Sequence, residues 1–368
     1  MKDFYSENWY QATDKFSRQA SQYGDLFWCV ADNHKFDIPY VTIGNGPHKI
    51  VFNSGVHGIE GYFGSAAQLF FMDKFAPHIS DKFKQKYSIV LIHAINGWGM
   101  QHRMREVMDY KNGGLVDLNR NFGIDFSSPE TLPQNPKYEM SHDLLLSKPD
   151  AMHKKNAIKA FRTKHLNDGA WDAISFGQYK HPYGLFYGGA EPMIENKMTL
   201  SIYDKIMRDA KSLTSIGLHT GLGRFYRKKG CVSAQLLVSH PSAHKNTKYF
   251  SDMLSGTPIV ADERALNGPV LLGDLVDCLE KRYETPDLPV YTADFEIGTG
   301  EFPIMSPIYK RMDMGDARYD LLNHGKISPQ TFDNLTESWY PSDSGWRDAA
   351  LERAYILFAE MMHKTKHR

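Results

Sequence analysis

Short β-branched and apolar runs that stop at small or polar residues recur along this chain. They occupy residues 49–53 (KIVFN), 88–95 (SIVLIHAI), 215–218, 231–238 and 290–295. Between them, residues 59–74, 151–164, 194–213, 270–282 and 347–363 carry helical patterns. Alternation of this kind predicts an α/β layer architecture with a largely buried sheet. The polar positions that could carry chemistry fall at the ends of the apolar runs. His57 and Glu60 follow the first, Asn96 the second, His219 ends the third and Glu296 the last. In open α/β sheets ligands bind beyond the carboxyl ends of strands, so these positions are expected to share one crevice.

Residues 122–193 are the least regular. Pro129, Pro133, Pro136, Pro149, Pro182 and Pro192 punctuate them, and Tyr179, Tyr183 and Tyr187 need somewhere to pack. The segment reads as a long excursion with one or two helices rather than a linker. With no repeat, low-complexity tract or Gly/Ser-rich linker, residues 1–368 are expected to form a single catalytic domain with an insertion at about 123–193.

Composition narrows the possibilities. The 368 residues are 42% hydrophobic and 23% charged, as in ordinary globular chains. Lys+Arg and Asp+Glu balance at 43 each, so no basic field favours nucleic acid or an anionic membrane. Cys29, Cys231 and Cys278 are far apart and form no C-x-x-C pair, which argues against a disulfide framework or a thiolate metal cluster. No apolar leader is visible, and no run approaches the roughly 20 residues needed to span a bilayer. A cytoplasmic location is the resulting expectation. Oligomeric state is not legible.

The segment SGVHGIEG, residues 54–61, offers half of a metal site. Imidazole nitrogen and carboxylate oxygen suit Zn²⁺, and a catalytic zinc takes three protein ligands. Residues three apart at a helix start share a face, so His57 and Glu60 can meet one ion, while Gly58 and Gly61 relieve crowding. His219, at a strand end before Gly221 and Gly223, is the candidate third ligand; His93, His181 and His240 compete with it. Glu296 is the candidate general base, with Asp294 as its neighbour and alternative. Arg103 and Arg105, after the Asn96–Gly99 turn, and the Asn119–Arg120 pair offer guanidinium forks for carboxylates or an oxyanion. Chemistry alone does not separate Arg103 from Arg105. A serine hydrolase is disfavoured because no G-x-S-x-G elbow appears, and a nucleotide enzyme because there is no P-loop or complete dinucleotide fingerprint.

In that order, His-x-x-Glu, Asn-x-x-Gly with a following Arg, Asn-Arg, a strand-end His and a Glu, the chain resembles the zinc carboxypeptidase family, whose best-known member is carboxypeptidase A. The phrases SGVHGIEG, VDLNRNF, GQYKHPYGLFYGG, LHTGLG and FEIGTG are similar to an uncharacterised bacterial branch of it. The resemblance runs from about Val51 to Gly300. It implies a three-layer α/β/α sandwich on a mixed, mostly parallel sheet, with one zinc held by His57, Glu60 and His219. It also implies Glu296 as general base, Arg103 on the carbonyl oxygen, and Asn119 with Arg120 on a substrate carboxylate. Tyr179, beside Gln178, is the candidate for the family's substrate-binding tyrosine. The stretch from Glu60 to His219 is longer than in pancreatic-type members, so the insertion is expected to reshape the cleft.

These features imply zinc-dependent hydrolysis of an amide or peptide bond next to a carboxylate-bearing residue. Other divalent transition metals could fill the same ligands. An N-acyl amino acid deacylase, as among the related aspartoacylases and succinylglutamate desuccinylases, would use the same site. A catalytically inactive peptide-binding protein is the alternative of another class. The expected partners are peptides or N-acyl amino acids, with no nucleic acid and no membrane.

Overall fold

The computed structural model describes residues 4–32, 34–148, 151–238, 243–261, 273–300 and 306–367. Its centre is an eight-stranded sheet made of β1 (Asp25–Cys29), β2 (Ile38–Ile43), β3 (His48–Ser54), β4 (Tyr87–Ile92), β5 (Ser212–Thr220), β6 (Ala234–Val238), β7 (Ile259–Ala261) and β8 (Val290–Ile297). The spatial order is β1-β2-β4-β3-β5-β8-β6-β7. The central run β4-β3-β5-β8 is parallel, as is β6-β7, while β1-β2, β2-β4 and β8-β6 are antiparallel. The sheet is therefore mixed and mostly parallel.

Strand alternation divides the core between two faces. Ile50 and Phe52 of β3 pack in one cluster with helices α1 (Trp9–Ala20) and α2 (Gly61–Lys74), while Val51 between them joins the other. That second cluster includes Met198, Ile202 and Tyr203 of α6 (Ile194–Ile206) and Leu275 and Leu279 of α8 (Leu275–Tyr283). The long α11 (Ser344–His367) and α7 (Ala243–Met253) cover the first face. Helices on both faces of one sheet give the three-layer α/β/α sandwich. No helix among the described residues is long and apolar enough to cross a membrane.

Chain order fixes where a site can form. From β3 the chain passes through α2 to β4 on one side; it later returns through α6 to β5 on the other side of β3. The carboxyl end of β3 is thus a topological switch point, where loops diverge and leave a crevice. The register sets Ser54 opposite Leu218 and His219 opposite Glu296. Asn96, His57, His219 and Glu296 therefore stand at the carboxyl ends of four adjacent parallel strands or just beyond them.

Some elements depart from the expected ones. The helical pattern of residues 194–213 ends at Ile206, and β5 already begins at Ser212. The helix expected over residues 270–282 is observed at Leu275–Tyr283, with residues 270–272 outside the described set. The run 231–238 divides into a two-residue strand at Cys231–Val232 and β6.

Residues 123–193 hold α4 (Glu139–Leu146), α5 (Ala151–Lys164) and shorter helical turns, then a loop through residues 177–189. The segment is fastened to α9 (Ser306–His324) by buried charges. Lys154 Nζ lies 2.6 Å from Asp316 Oδ1, Lys148 pairs with Asp320, and the Arg311 guanidinium lies 3.7 Å from the Trp171 ring centroid. Arg318, fully buried, bonds Glu106 at 2.7 Å, Gly184 O at 3.3 Å and Met314 O at 3.0 Å. Removing one member of a buried pair strands the other charge. Arg318→Met is accordingly expected to lower the unfolding free energy by about 3–5 kcal/mol, read from the midpoint of a denaturant titration. A midpoint matching the parent protein would show that Glu106 finds another partner.

Candidate metal centre and cleft

His57 and Glu60 lie in the turn before α2 rather than on the helix itself: α2 starts at Gly61, and Glu60 is its cap residue. The turn hangs on a neighbouring segment, since Gly58 N donates to Arg105 O at 3.0 Å and Ile59 N to Met104 O at 2.8 Å. It also presses backbone to backbone on the Asn96–Gly99 turn, because a Cβ at Gly58 would stand 2.2 Å from the Gly99 carbonyl carbon. Asn96 holds that turn, accepting from Gly99 N at 2.7 Å and donating to Arg105 O at 3.3 Å. The two motifs are therefore one packed unit.

Ligand atoms of His57, Glu60 and His219 lie within 4.8 Å of one another, and all three residues are buried. His57 Nδ1 is 3.0 Å from Glu60 Oε1, and His219 Nδ1 is 3.1 Å from Glu60 Oε2. Glu60 Oε2 also accepts from Thr220 N at 2.9 Å, which orients the carboxylate. His57 Nδ1 and Glu60 Oε1 are buried without a hydrogen-bond partner. Buried polar atoms are normally satisfied, so an unsatisfied nitrogen and oxygen facing each other fit a cation that both would ligate. The opposite ring nitrogens meet carboxylates: His57 Nε2 is 3.2 Å from Asp117 Oδ1, and His219 Nε2 is 3.4 Å from Asp294 Oδ1. For His219 such an outer partner fixes the tautomer that turns the Nδ1 lone pair towards a metal. His57 Nε2 lies between the acceptor Asp117 and the donor Arg105 Nη2, at 2.7 Å, so Asp117 alone does not set its tautomer. The donor set suits Zn²⁺.

Electrostatics favour the same ionisation. Burial alone would raise Glu60's carboxyl, but His57 and His219 outweigh it and hold it well below the usual range. Burial likewise raises Asp117, while Arg105, His57 and Arg120 pull it far down. Glu296, 8% exposed, behaves oppositely: burial pushes it up to about 7, with His219 opposing and Glu60 and Asp294 reinforcing. Among the described residues its Oε2 accepts a 3.3 Å bond from Leu222 N.

The two arginines left open by the sequence separate clearly. Arg103 adopts a left-handed conformation (φ 53°) at the end of α3 (Gly97–His102), and its guanidinium lies by Tyr62 and Phe332, donating to Glu7 O at 3.3 Å. The contacts of Arg103 are thus with Tyr62, Phe332 and Glu7, whereas Arg105 stands beside His57, Glu60 and Asp117. Arg105 is 5% exposed, pairs with Asp117, and reaches His57 Nε2 at 2.7 Å. Its Nε is buried without a hydrogen bond, 3.5 Å from Glu60 Oε1.

Arg120 is also buried. Its Nε and Nη2 donate to Ser175 O at 3.1 and 2.6 Å, and its Nη1 to Asn119 O at 2.6 Å. Guanidinium has five donors, so part of the fork stays available. The Asn119 side-chain oxygen accepts from Leu275 N at 2.9 Å and caps α8. The Gln178 side chain bonds within its own loop. Its Oε1 accepts from Lys180 N and His181 N, and its Nε2 donates to His181 O, which tightens its own loop. The Tyr179 hydroxyl donates to Arg120 O at 2.5 Å, and its ring abuts Gly188. Tyr179 thus braces the Arg120 backbone.

Among the competing histidines, His93 is a core residue, bonded to Gln68 and stacked on Phe16, and burial lowers it to about 3. His181 bonds Glu139 and stacks on His142. His240 lies outside the described residues.

Sequence reasoning passed over Asp117, Ser175, Trp339 and Lys310. Lys310, on α9, is 7% exposed and donates to Gly221 O at 2.6 Å and Thr299 Oγ1 at 2.8 Å, with its ammonium 4.1 Å from the Trp339 ring centroid. Burial lowers it, against the pull of Glu60 and Glu296, to about 7. Gly221 (φ 123°) makes this arrangement possible. A Cβ there would stand 2.5 Å from the Trp339 ring and 2.9 Å from Lys310 Nζ. Beside it opens a cavity of about 350 Å³ lined by Leu222, Arg224, Gln235, Pro307 and Lys310.

The fold is shared with solved structures. Bovine thrombin-activatable fibrinolysis inhibitor, in complex with tick carboxypeptidase inhibitor, superposes with a TM-score of 0.54 at 8% identity, covering 99% of this chain and 98% of that one. A crystal structure of thrombin-activatable fibrinolysis inhibitor gives 0.55 at 11% identity, covering 99% and 75%. Carboxypeptidase A from Helicoverpa armigera gives 0.49 at 11%, covering 94% and 74%. The sandwich implied by the sequence resemblance is therefore the fold observed. No curated protein matches the chain. One family does, over residues 5–353, and the chain belongs to it: the family described as "Protein of unknown function (DUF2817)".

Proposed function

We propose that this protein is a metal-dependent amide hydrolase that cleaves next to a carboxylate-bearing residue, in the manner of a carboxypeptidase. The observation that carries the reading is the pair of buried ligand atoms without a hydrogen bond on His57 and Glu60, 3.0 Å apart, completed by His219 and joined by Glu296 on the neighbouring strand. A fold neighbour held by a carboxypeptidase inhibitor supports the same class.

His57, Glu60 and His219 would hold one Zn²⁺, which when bound supplies a Lewis acid and makes a water acidic enough to ionise near neutral pH. Glu296 takes the proton of the attacking water and passes it to the leaving nitrogen, a task suited to a carboxyl raised to about 7. Arg105 directs its free Nε–H to the oxygen on which negative charge develops. Arg120, fixed by Ser175 and Asn119, receives the substrate carboxylate with its remaining donors.

The test is metal quantification coupled to a mixed substrate panel. Purified protein is expected to carry about one zinc per chain and to release amino acids from C-terminal peptides. Turnover of N-acyl amino acids with peptides inert would assign the site to deacylation instead. Metal-free protein that binds peptides without cutting them would leave only the fold in common with hydrolases.

A further inference from the structure

Cations and aromatic rings alternate across the cleft. The Lys310 ammonium lies 4.1 Å from the Trp339 ring centroid, and the Arg105 guanidinium is 5.2 Å from the same ring. Arg105 is also 5.2 Å from Phe186, whose ring is 5.6 Å from Arg120. The contact order is Lys310, Trp339, Arg105, Phe186, Arg120, with Arg105 beside His57 in the middle. Lys310 and Arg120 therefore occupy opposite ends of the row.

Neither end has a carboxylate within ion-pair distance among the described residues: Asp117 acts on Arg120, and Glu60 and Glu296 on Lys310, from further off. Lys310 bonds a carbonyl and a hydroxyl, which leaves one of its three N–H donors open. An ammonium has three donors and is costly to bury without a counter-ion. Its site is not closed, because Lys310 lines the cavity beside Leu222 and Gln235. Both residues touch the reaction centre: Leu222 N bonds Glu296, and Gln235 is the cross-strand partner of Glu296. Arg224 stands on the exposed rim of the same cavity.

We infer that the cavity at Lys310 binds a carboxylate on the acyl side of the scissile amide, so that the substrate carries an anion on each side of the bond. This rests on the amide-hydrolase reading for its orientation: Arg120 holds the leaving amino acid, Arg105 the carbonyl oxygen, and Lys310 the acyl-side anion beyond it. A dicarboxylic acyl group and an acidic residue preceding the terminal one present the same chemistry.

The experiment uses zinc-loaded full-length protein. One arm compares N-succinyl with N-butyryl derivatives of one amino acid; the other compares Glu with Gln before the C-terminal residue of a peptide. An interaction with a charged partner of this kind corresponds to a preference of about 10- to 100-fold in kcat/KM. The preferred arm identifies the source of the anion. Lys310→Met is expected to bring the ratio close to one, and Lys310→Arg to restore part of it. A wild-type ratio at or below one in both arms overturns the inference, as does a ratio that Lys310→Met leaves intact. If no amide in the panel is cut, the hydrolase reading fails, and the anion site is still decided by calorimetry. Succinate must then bind more tightly than butyrate and lose that advantage in Lys310→Met; equal affinities overturn it.

Discussion

Glu296→Gln is expected to keep about one zinc per chain while lowering turnover by about 10²–10⁴-fold. The side chain ends β8 directly opposite His219, and burial lifts it to about 7. A group of that acidity can both accept and return a proton near neutral pH, which amide cleavage requires of one residue in two successive steps. Glutamine preserves the shape and can still accept the 3.3 Å bond from Leu222 N, but it cannot take a proton. None of His57, Glu60 or His219 is altered, so metal analysis of the variant should match the parent protein. His57→Ala makes the contrasting case, because it removes a ligand and should lose zinc and turnover together. A Glu296→Gln enzyme with full turnover and bound zinc would remove Glu296 from the mechanism and leave Asp294 as the carboxylate to test.

What the sequence made legible follows from how local the signal was. His57, Glu60, His219 and Glu296 are each marked by the end of an apolar run, and parallel strands carry such ends to one edge whatever the connections do. The strand order was not needed to group them. Longer-range features left no such mark. Strand β1 is exposed along most of its length at the sheet edge and has no apolar period, and β2 is buried at every position but Thr42 and carries Pro39. Helix α6 was overextended because β5 follows after only a short turn, with nothing in the pattern to divide them. Lys310 and Trp339 come from helices that follow the last motif and carry no motif themselves. They reach the cleft only because Gly221 leaves room for them, a fact about packing that no spacing along the chain encodes. Gln178 and Tyr179, which the sequence offers as substrate contacts, satisfy the backbone of their own loop and that of Arg120 in the structure.

The separation of Arg103 from Arg105 has the sharpest experimental consequence after Glu296. The residues are two apart, yet the left-handed turn at Arg103 sends their side chains to different surroundings. Arg103 rests on Tyr62 and Phe332, whereas Arg105 is enclosed by His57, Glu60, Asp117 and Trp339. Arg105 also holds the His57 turn through its own carbonyl, which a side-chain substitution leaves in place. Lysine is the informative replacement, because it keeps a positive charge against buried Asp117 and avoids stranding that carboxylate. It lacks the planar fork and cannot serve Asp117 and a developing oxyanion at once. Arg105→Lys is therefore expected to lower kcat by about 10²–10³-fold with a smaller change in KM, the pattern of a contact made chiefly in the transition state. Arg103→Met should change kcat by less than about twofold, since its guanidinium contacts no residue of the metal cluster and surface substitutions are usually small in effect. Steady-state kinetics on the two variants, with zinc content measured alongside, decides the matter. A large kcat loss in Arg103→Met with little in Arg105→Lys would return the oxyanion role to Arg103 and require the turn to rearrange when substrate binds.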